Sequence, residues 1–316
     1  MIKPVRLDVF MSDALTRYYH NNDPLGVSGD FTTAPEISQL FGEIIGIWAV
    51  QKWFEIGAPS TFNLIEIGPG RGTLMADLLR GTKHIAAFHD AMAVHLVETS
   101  PTLKQKQQSA LSQYDIKWHD HLSTISNDIP CIIIANEFLD ALPVRQFKYN
   151  GDGQWQECYI DGTDIVWLDV ENPPTKQTLP NPKTGDVFEY SDMQYDYSTL
   201  ISSYQGAFLL IDYGYIQSAY GDSLQALYKH KPCAITDHIG DADLTTHVDF
   251  EWLASLFPNT QKSIKTQRMF LKTNGIDIRY QQLNNPKLDS GYNRLIDANE
   301  MGELFKVLEI VTASNL

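Results

Sequence analysis

Between Asn63 and Arg80 an apolar run, NLIEI, passes into a glycine-rich turn, GPGRG, and then into an amphipathic stretch, TLMADLLR. A strand, a tight turn and a helix N-terminus in that order read as a nucleotide-cofactor site in an α/β fold. Gly68, Gly70 and Gly72 permit positive φ and let a ligand approach the backbone without meeting a Cβ. The helix opening at Thr73 points free N–H groups outward, so the ligand should carry oxygen acceptors. The dinucleotide fingerprint requires G-x-G-x-x-G/A, whereas the sixth position counted from Gly68 is Thr73, which leaves G-x-G-x-G and disfavours a pyrophosphate. Glu66, at the strand end, would repel a pyrophosphate and attract the ammonium of an amino-acid moiety. The ligand that satisfies both conditions is S-adenosylmethionine; the competing reading is an accidental glycine turn.

A second strand, AVHLVE, ends in Glu98, placed to accept both ribose hydroxyls. It lies somewhat beyond the roughly 20 residues usual between such a turn and its acid, the extra length falling in an expected loop at His84 to Asp90. Ligands of doubly wound sheets bind at the carboxyl ends of the strands. CIIIAN running into NEFLDALP puts Asn136, Glu137 and Asp140 there, and a further strand ends at Asp212 and Tyr213. HDHL puts Asp120 either beside the adenine amino group or in an exposed loop.

Apolar segments at 62–67, 93–98, 114–118, 130–135 and 206–212, mostly separated by helical patterns, predict a doubly wound, mainly parallel α/β sheet. A short helix is expected at Arg6 to Tyr19 and a long one from about Ala34 to Glu55, opened by a capping box of Thr33 and Glu36 around Pro35. Trp48 and Trp53 belong to its core stripe. Residues 1–60 read as an N-terminal helical extension and 61–316 as the catalytic domain, interrupted by a β-rich insertion at about 145–205 and a second insertion at about 215–246. ENPPTKQTLPNPKTGD is expected to be an exposed, mobile rim loop. A helix near 247–257 and strands near 263–267 and 305–312 complete the sheet. His247 is either a general base or part of a helix start.

GDFTTAPEISQLFGEIIGIW, IEIGPGRGTLMADLLR, VETSP, NEFLDALPVRQF, LLIDYG and DLTTHVDF follow one another in this order. From about Tyr18 to the end the chain thereby resembles a widespread S-adenosylmethionine-dependent methyltransferase family of bacteria and mitochondria. The resemblance implies a class I, Rossmann-like fold. It also implies protein arginine methylation of a respiratory complex I subunit or related protein, in support of complex assembly. It makes Gly29, Asp30 and Phe31 a lid over the cofactor, against the alternative of an ordinary turn, and favours Asp120 and Asn136 as cofactor contacts. The chain starts almost directly at the first motif, without the extension of relatives, so both the cytoplasm of a bacterium and the mitochondrial matrix, for a processed form, are expected compartments.

For an arginine acceptor carboxylates are required, because a guanidinium with a pKa above roughly 12 is a poor nucleophile whose charge must be oriented and localised. Glu137 is the first candidate, with Asp140 and Asp212 behind it. Glu137 and Asp140 have the alternative of capping a following helix, and Glu36 reads as a capping-box acid. With 24 basic and 39 acidic residues the formal charge is −15, which repels nucleic acid and suits a cationic protein substrate. Three scattered cysteines and no C-x-x-C give no expectation of a metal, and no apolar run approaches the roughly 20 residues of a membrane span. A homodimer is left open. The competing functional classes are a cofactor-binding assembly factor without catalysis and a nicotinamide-dependent oxidoreductase, which the G-x-G-x-G spacing and Glu66 disfavour.

Overall fold

The structure, a computed structural model, describes residues 3–21 and 33–312. Its main sheet contains β1 (Phe62–Ile67), β2 (Met92–Val97), β3 (Ile116–His119), β4 (Cys131–Asn136), β5 (Gly206–Tyr215), β6 (Thr260–Thr266) and β7 (Phe305–Thr312). The spatial order is β6-β7-β5-β4-β1-β2-β3, with the two-residue strand Val248–Asp249 paired to β5. The first five run parallel, and β7 lies antiparallel between β5 and β6. Every residue of β1 and β4 is buried, because these parallel strands are covered on both faces, and most of their residues are apolar. Alternation still decides which face each side chain serves. Leu64, Ile132 and Ile134 pack into one core, while Ile65 and Ile133 pack into the opposite one.

The strand order reverses between β1 and β4, which opens the crevice where such sheets bind ligands. Helix α1 (Leu7–Asn21) lies at the chain start, followed by the one-turn α2 (Ala34–Ile37) and the longer α3 (Gln39–Glu55). The long helix expected from Ala34 is thus broken. Ser38 is extended at φ −159° and ψ 133°, and its Oγ accepts from the Leu40 N–H, so α3 has its own N-cap. The capping box does not form: Thr33 makes no side-chain cap bond, and Glu36 points its carboxylate elsewhere.

Helix α4 (Thr73–Thr82) follows the glycine turn and packs against α3 at very short range. A Cβ added to Gly42 would come within 2.6 Å of Asp77 Cβ and 2.9 Å of the Leu74 carbonyl, so only glycine allows this approach. Through that contact α3 joins the same hydrophobic core as the sheet, with Trp48 and Trp53 buried in it as expected. The Trp48 indole also donates to Glu309 of β7 at 2.9 Å.

The excursion after β4 is antiparallel, as its alternating pattern predicts: Arg145–Gly151, Gln154–Asp161, Asp164–Val170 and Val187–Tyr190 pair with one another and with Val5–Arg6. Its proline-rich loop is not uniformly exposed. Lys176 is buried, its Nζ 3.2 Å from Asp249 and 4.5 Å above the Trp252 ring, because the buried Asp249 carboxylate draws it inward. Residues 215–246 form a small sheet of Gln225–Tyr228, Lys231–Cys233 and Asp243–Thr245. A short helix, Ala86–Ala91, occupies the expected loop before β2, and four short helices fill 267–304. No helix among the described residues is long and apolar enough to cross a membrane.

Candidate cofactor and acceptor site

At the carboxyl ends of β1, β2 and β4 lies a cavity of about 550 Å³, within the range of small-molecule sites. Its floor is the glycine turn. Gly68, Gly70 and Gly72 have φ of 66°, 54° and 83°, as the sequence requires. A Cβ at Gly68 would stand 3.0 Å from the Phe138 ring, so the turn is closed on one side by an aromatic wall. Gly72 closes the turn onto the Pro69 carbonyl and serves as the N-cap of α4. Thr73 opens the helix, and its hydroxyl donates to Glu36.

Glu66 lines the cavity, buried, with Oε2 lacking any hydrogen-bond partner. Burial alone pushes its carboxyl up to about 8. A buried, unsatisfied carboxylate of this kind fits the ammonium of S-adenosylmethionine, which would supply both the charge and the donors that the protein withholds.

Glu98, directly after β2, is held before any ligand arrives. Its Oε1 accepts the Ser100 N–H at 2.8 Å and its Oε2 accepts the Gln107 amide at 3.2 Å, while burial pushes its carboxyl upward. Gln107 escaped the sequence reading. It is fully buried, donates also to the Gly70 carbonyl at 2.8 Å, and accepts from the Trp118 indole at 2.9 Å. One side chain therefore ties the glycine turn to Glu98. The only signal available was its place in the polar helix Pro101–Ala110, where nothing in KQKQQ sets it apart from its neighbours. Asp120 reaches the rim but is 80% exposed and ion-paired to Lys104 at 2.6 Å, between its two expected roles. Gly29, Asp30 and Phe31 lie outside the described residues.

The other half of the cavity is acidic. Glu137 adopts φ 50°, unusual for a residue with a Cβ, as the chain turns sharply out of β4. Its Oε1 accepts the Ala34 N–H at 3.0 Å and the Asn136 amide at 3.2 Å, and burial drives its carboxyl up to about 7. Both hydrogen bonds fall on Oε1, and among the described residues none falls on Oε2. Asn136 lines the cavity too, its buried Oδ1 unpartnered.

Asp140 and Asp212, expected beside Glu137 as catalytic acids, do not line the cavity. Asp212 is fully buried beneath the loop, accepting the N–H groups of Leu139, Asp140 and Tyr213 at 2.9, 3.1 and 3.0 Å. Burial pushes both aspartates upward, and for Asp212 the neighbouring carboxylates of Asp140 and Glu137 add to it. They act through the backbone that carries Glu137. No helix follows β4 directly, so neither Glu137 nor Asp140 caps one there; Glu137 meets the start of α2 instead. His247 is set away from the cavity, its ring edge-on to Tyr213 at 5.3 Å, and the helix that follows is capped by Asp249.

The cavity extends past these groups to Ser12, Leu15 and Thr16 of α1 and to Met193 and Tyr197, leaving room for a second reactant.

Residues 44–268 match a family model described as "Putative S-adenosyl-L-methionine-dependent methyltransferase". The chain is 31% identical to the mitochondrial protein arginine methyltransferase NDUFAF7 of Xenopus tropicalis, over 99% of this chain and 84% of that protein. It is likewise 31% identical to NDUFAF7 of Homo sapiens, over 99% and 81%. A crystal structure of a Burkholderia thailandensis protein bound to S-adenosyl-homocysteine superposes with a TM-score of 0.81 at 22% identity, covering 98% of this chain and 88% of that one. That likeness is one of fold.

Proposed function

Because the chain belongs to this family of S-adenosyl-L-methionine-dependent methyltransferases, we propose that it methylates an arginine in a protein, a subunit of respiratory complex I or a related protein, in support of complex assembly. S-adenosyl-L-methionine is the cofactor, and when bound it supplies a methyl group on a positively charged sulfur. Glu66 would hold the amino-acid ammonium and Glu98 the ribose hydroxyls, with the turn at Gly68, Gly70, Gly72 and Thr73 against the backbone of the ligand, Asn136 at the mouth and Asp120 at the rim.

The observation that carries the acceptor reading is Glu137, a half-buried carboxylate with one oxygen held by the Ala34 N–H and the Asn136 amide and the other without a hydrogen bond among the described residues. Its negative charge binds the guanidinium and draws positive charge away from the attacking nitrogen. As the nitrogen–methyl bond forms and the sulfur–methyl bond breaks, its electron pair staying on the sulfur, which leaves as a neutral thioether, the added positive charge would develop beside Glu137, and Oε2 would take the proton that the methylated nitrogen sheds. The names of the relatives support arginine as the acceptor. Asp140 and Asp212 hold the loop on which Glu137 is carried. The compartment we favour is the bacterial cytoplasm or, for a processed eukaryotic form, the mitochondrial matrix.

Incubation of the purified protein with S-adenosyl-L-methionine and complex I subunits, followed by fragment mass spectrometry, tests the reading. Methyl groups on arginine are expected. Transfer to lysine alone would overturn the acceptor, and cofactor binding without any transfer would leave an assembly factor.

A further inference from the structure

The single turn of α2 touches both halves of the cavity. At its start the Ala34 N–H donates to Glu137 Oε1 at 3.0 Å. Two residues on, Glu36 accepts the Thr73 hydroxyl and lies 3.9 Å from the Arg71 guanidinium. Thr73 and Arg71 belong to the cofactor turn and the opening of α4, and Glu36 itself lines the cavity. Pro35, buried between the two contacts, fixes φ and stiffens the turn. The extended Ser38 keeps Glu36 from being carried onto a face of α3.

Behind α2 there is no space to retreat. The helix Asp289–Ile296 presses Gly291 so near that a Cβ there would stand 2.8 Å from the Ile37 carbonyl and 2.9 Å from Ser38 Cβ. A rigid turn gripped at one end by the cofactor segment and at the other by the acceptor carboxylate transmits a displacement of either to its opposite.

We propose that Glu36 is a positioning residue that couples the cofactor turn, through α2, to Glu137. The inference rests on the methyltransferase reading and on the role given there to Glu137. An acid confined to a helix start would touch only its own turn, whereas the contacts of Glu36 lie in a different segment, on Arg71 and Thr73.

Calorimetric titration of the full chain with S-adenosyl-L-methionine tests the first half. Glu36→Ala and Thr73→Val should each weaken binding about tenfold, as for a lost hydrogen bond to a charged group. The double variant should be no weaker than the worse single one, because both remove the same contact. The pH dependence of kcat/KM for the acceptor, at saturating cofactor, tests the second half. Loss of the Ala34 N–H from Glu137 removes a donor that favours the carboxylate, so the acid limb, set near 7 in the wild type, should move up in Glu36→Ala. Asp140, Asp212 and Arg294, the other charged groups acting on or beside Glu137, are untouched by the substitution.

A folded Glu36→Ala with wild-type affinity and an unmoved acid limb overturns the proposal, as do fully additive losses in the double variant. If Glu36→Ala does not fold, Glu36→Gln decides, since it keeps an acceptor for Thr73 and loses only the charge at Arg71. Wild type that fails to bind the cofactor sinks the methyltransferase reading itself, an outcome distinct from equal binding by wild type and variant.

Discussion

The two halves of the cavity are built on opposite principles. On the cofactor side nearly every polar group is already satisfied: Glu98 by Ser100 and Gln107, the Gly70 carbonyl by Gln107, the turn by its own Gly72 N–H. Among the described residues the orphaned Glu66 oxygen is a charged exception. On the acceptor side Glu137, Asp140 and Asp212 are crowded together, and each is driven toward protonation by burial. The first half is a mould lacking one positive charge. The second gathers three carboxyl groups, of which only Glu137 faces the cavity while Asp140 and Asp212 lie beneath it.

That contrast can be broken at its foundation with Asp212→Ala. Three backbone N–H groups would lose their acceptor, at a cost of about 4 kcal/mol in chemical denaturation, with the Glu137 loop collapsing while the cofactor half survives in any folded fraction. Unchanged stability would show that Asp212 is no anchor. Next in size, Glu137→Gln should lower kcat about 100-fold while leaving cofactor affinity nearly unaltered. In the wild type the carboxylate form is required, so kcat/KM for the acceptor should fall as pH drops through about 7; Glu137→Gln should lose that limb. Equal losses of kcat and cofactor affinity would mean that the halves are not separable there.

Gln107→Leu should do the reverse, weakening the cofactor about tenfold in calorimetry with little effect on turnover at saturation. The smallest effect sharpens the account of Glu66. Its carboxyl is held protonated below about 8 in the free protein, and an ammonium favours the ionised form, so cofactor binding at pH 7 should release up to one proton. Binding heats measured in buffers of different ionisation enthalpy would reveal it, and Glu66→Gln should abolish it. The sign for stability is the same: Glu66 is raised in the folded state, so its contribution falls as pH climbs from the ordinary carboxylate range through about 8.

The interior strands and the glycine turn were legible because their causes are local. CIIIAN and FNLIEI are mostly apolar runs, and three glycines before an amphipathic run leave few alternatives. Glu66 and Glu98 were found because strand ends are marked by pattern. What escaped depends on distant partners. Nothing around Gln107 announces that Trp118 and Gly70 will meet it, and Lys176 sits in a polar stretch that gives no sign of Asp249. Glu36 sits where a capping box was plausible, and only the fold brings Thr73 against it. Asp212 was legible as a strand-end acid but not as an anchor, since pattern does not tell which backbone amides lie beneath a carboxylate. The helices of 267–304 are short and mixed in polarity, so periodicity had little length over which to show.

The placing of β7 bears on how the molecule comes into being. Among the described strands β6 pairs only with β7, and β5 keeps one open flank until β7 fills it. During synthesis both edges therefore stay bare until the chain beyond Phe305 leaves the ribosome. A nascent chain would spend that interval with the apolar β5 exposed along one edge to self-association, a hazard met by delay, by chaperones or by very rapid final insertion.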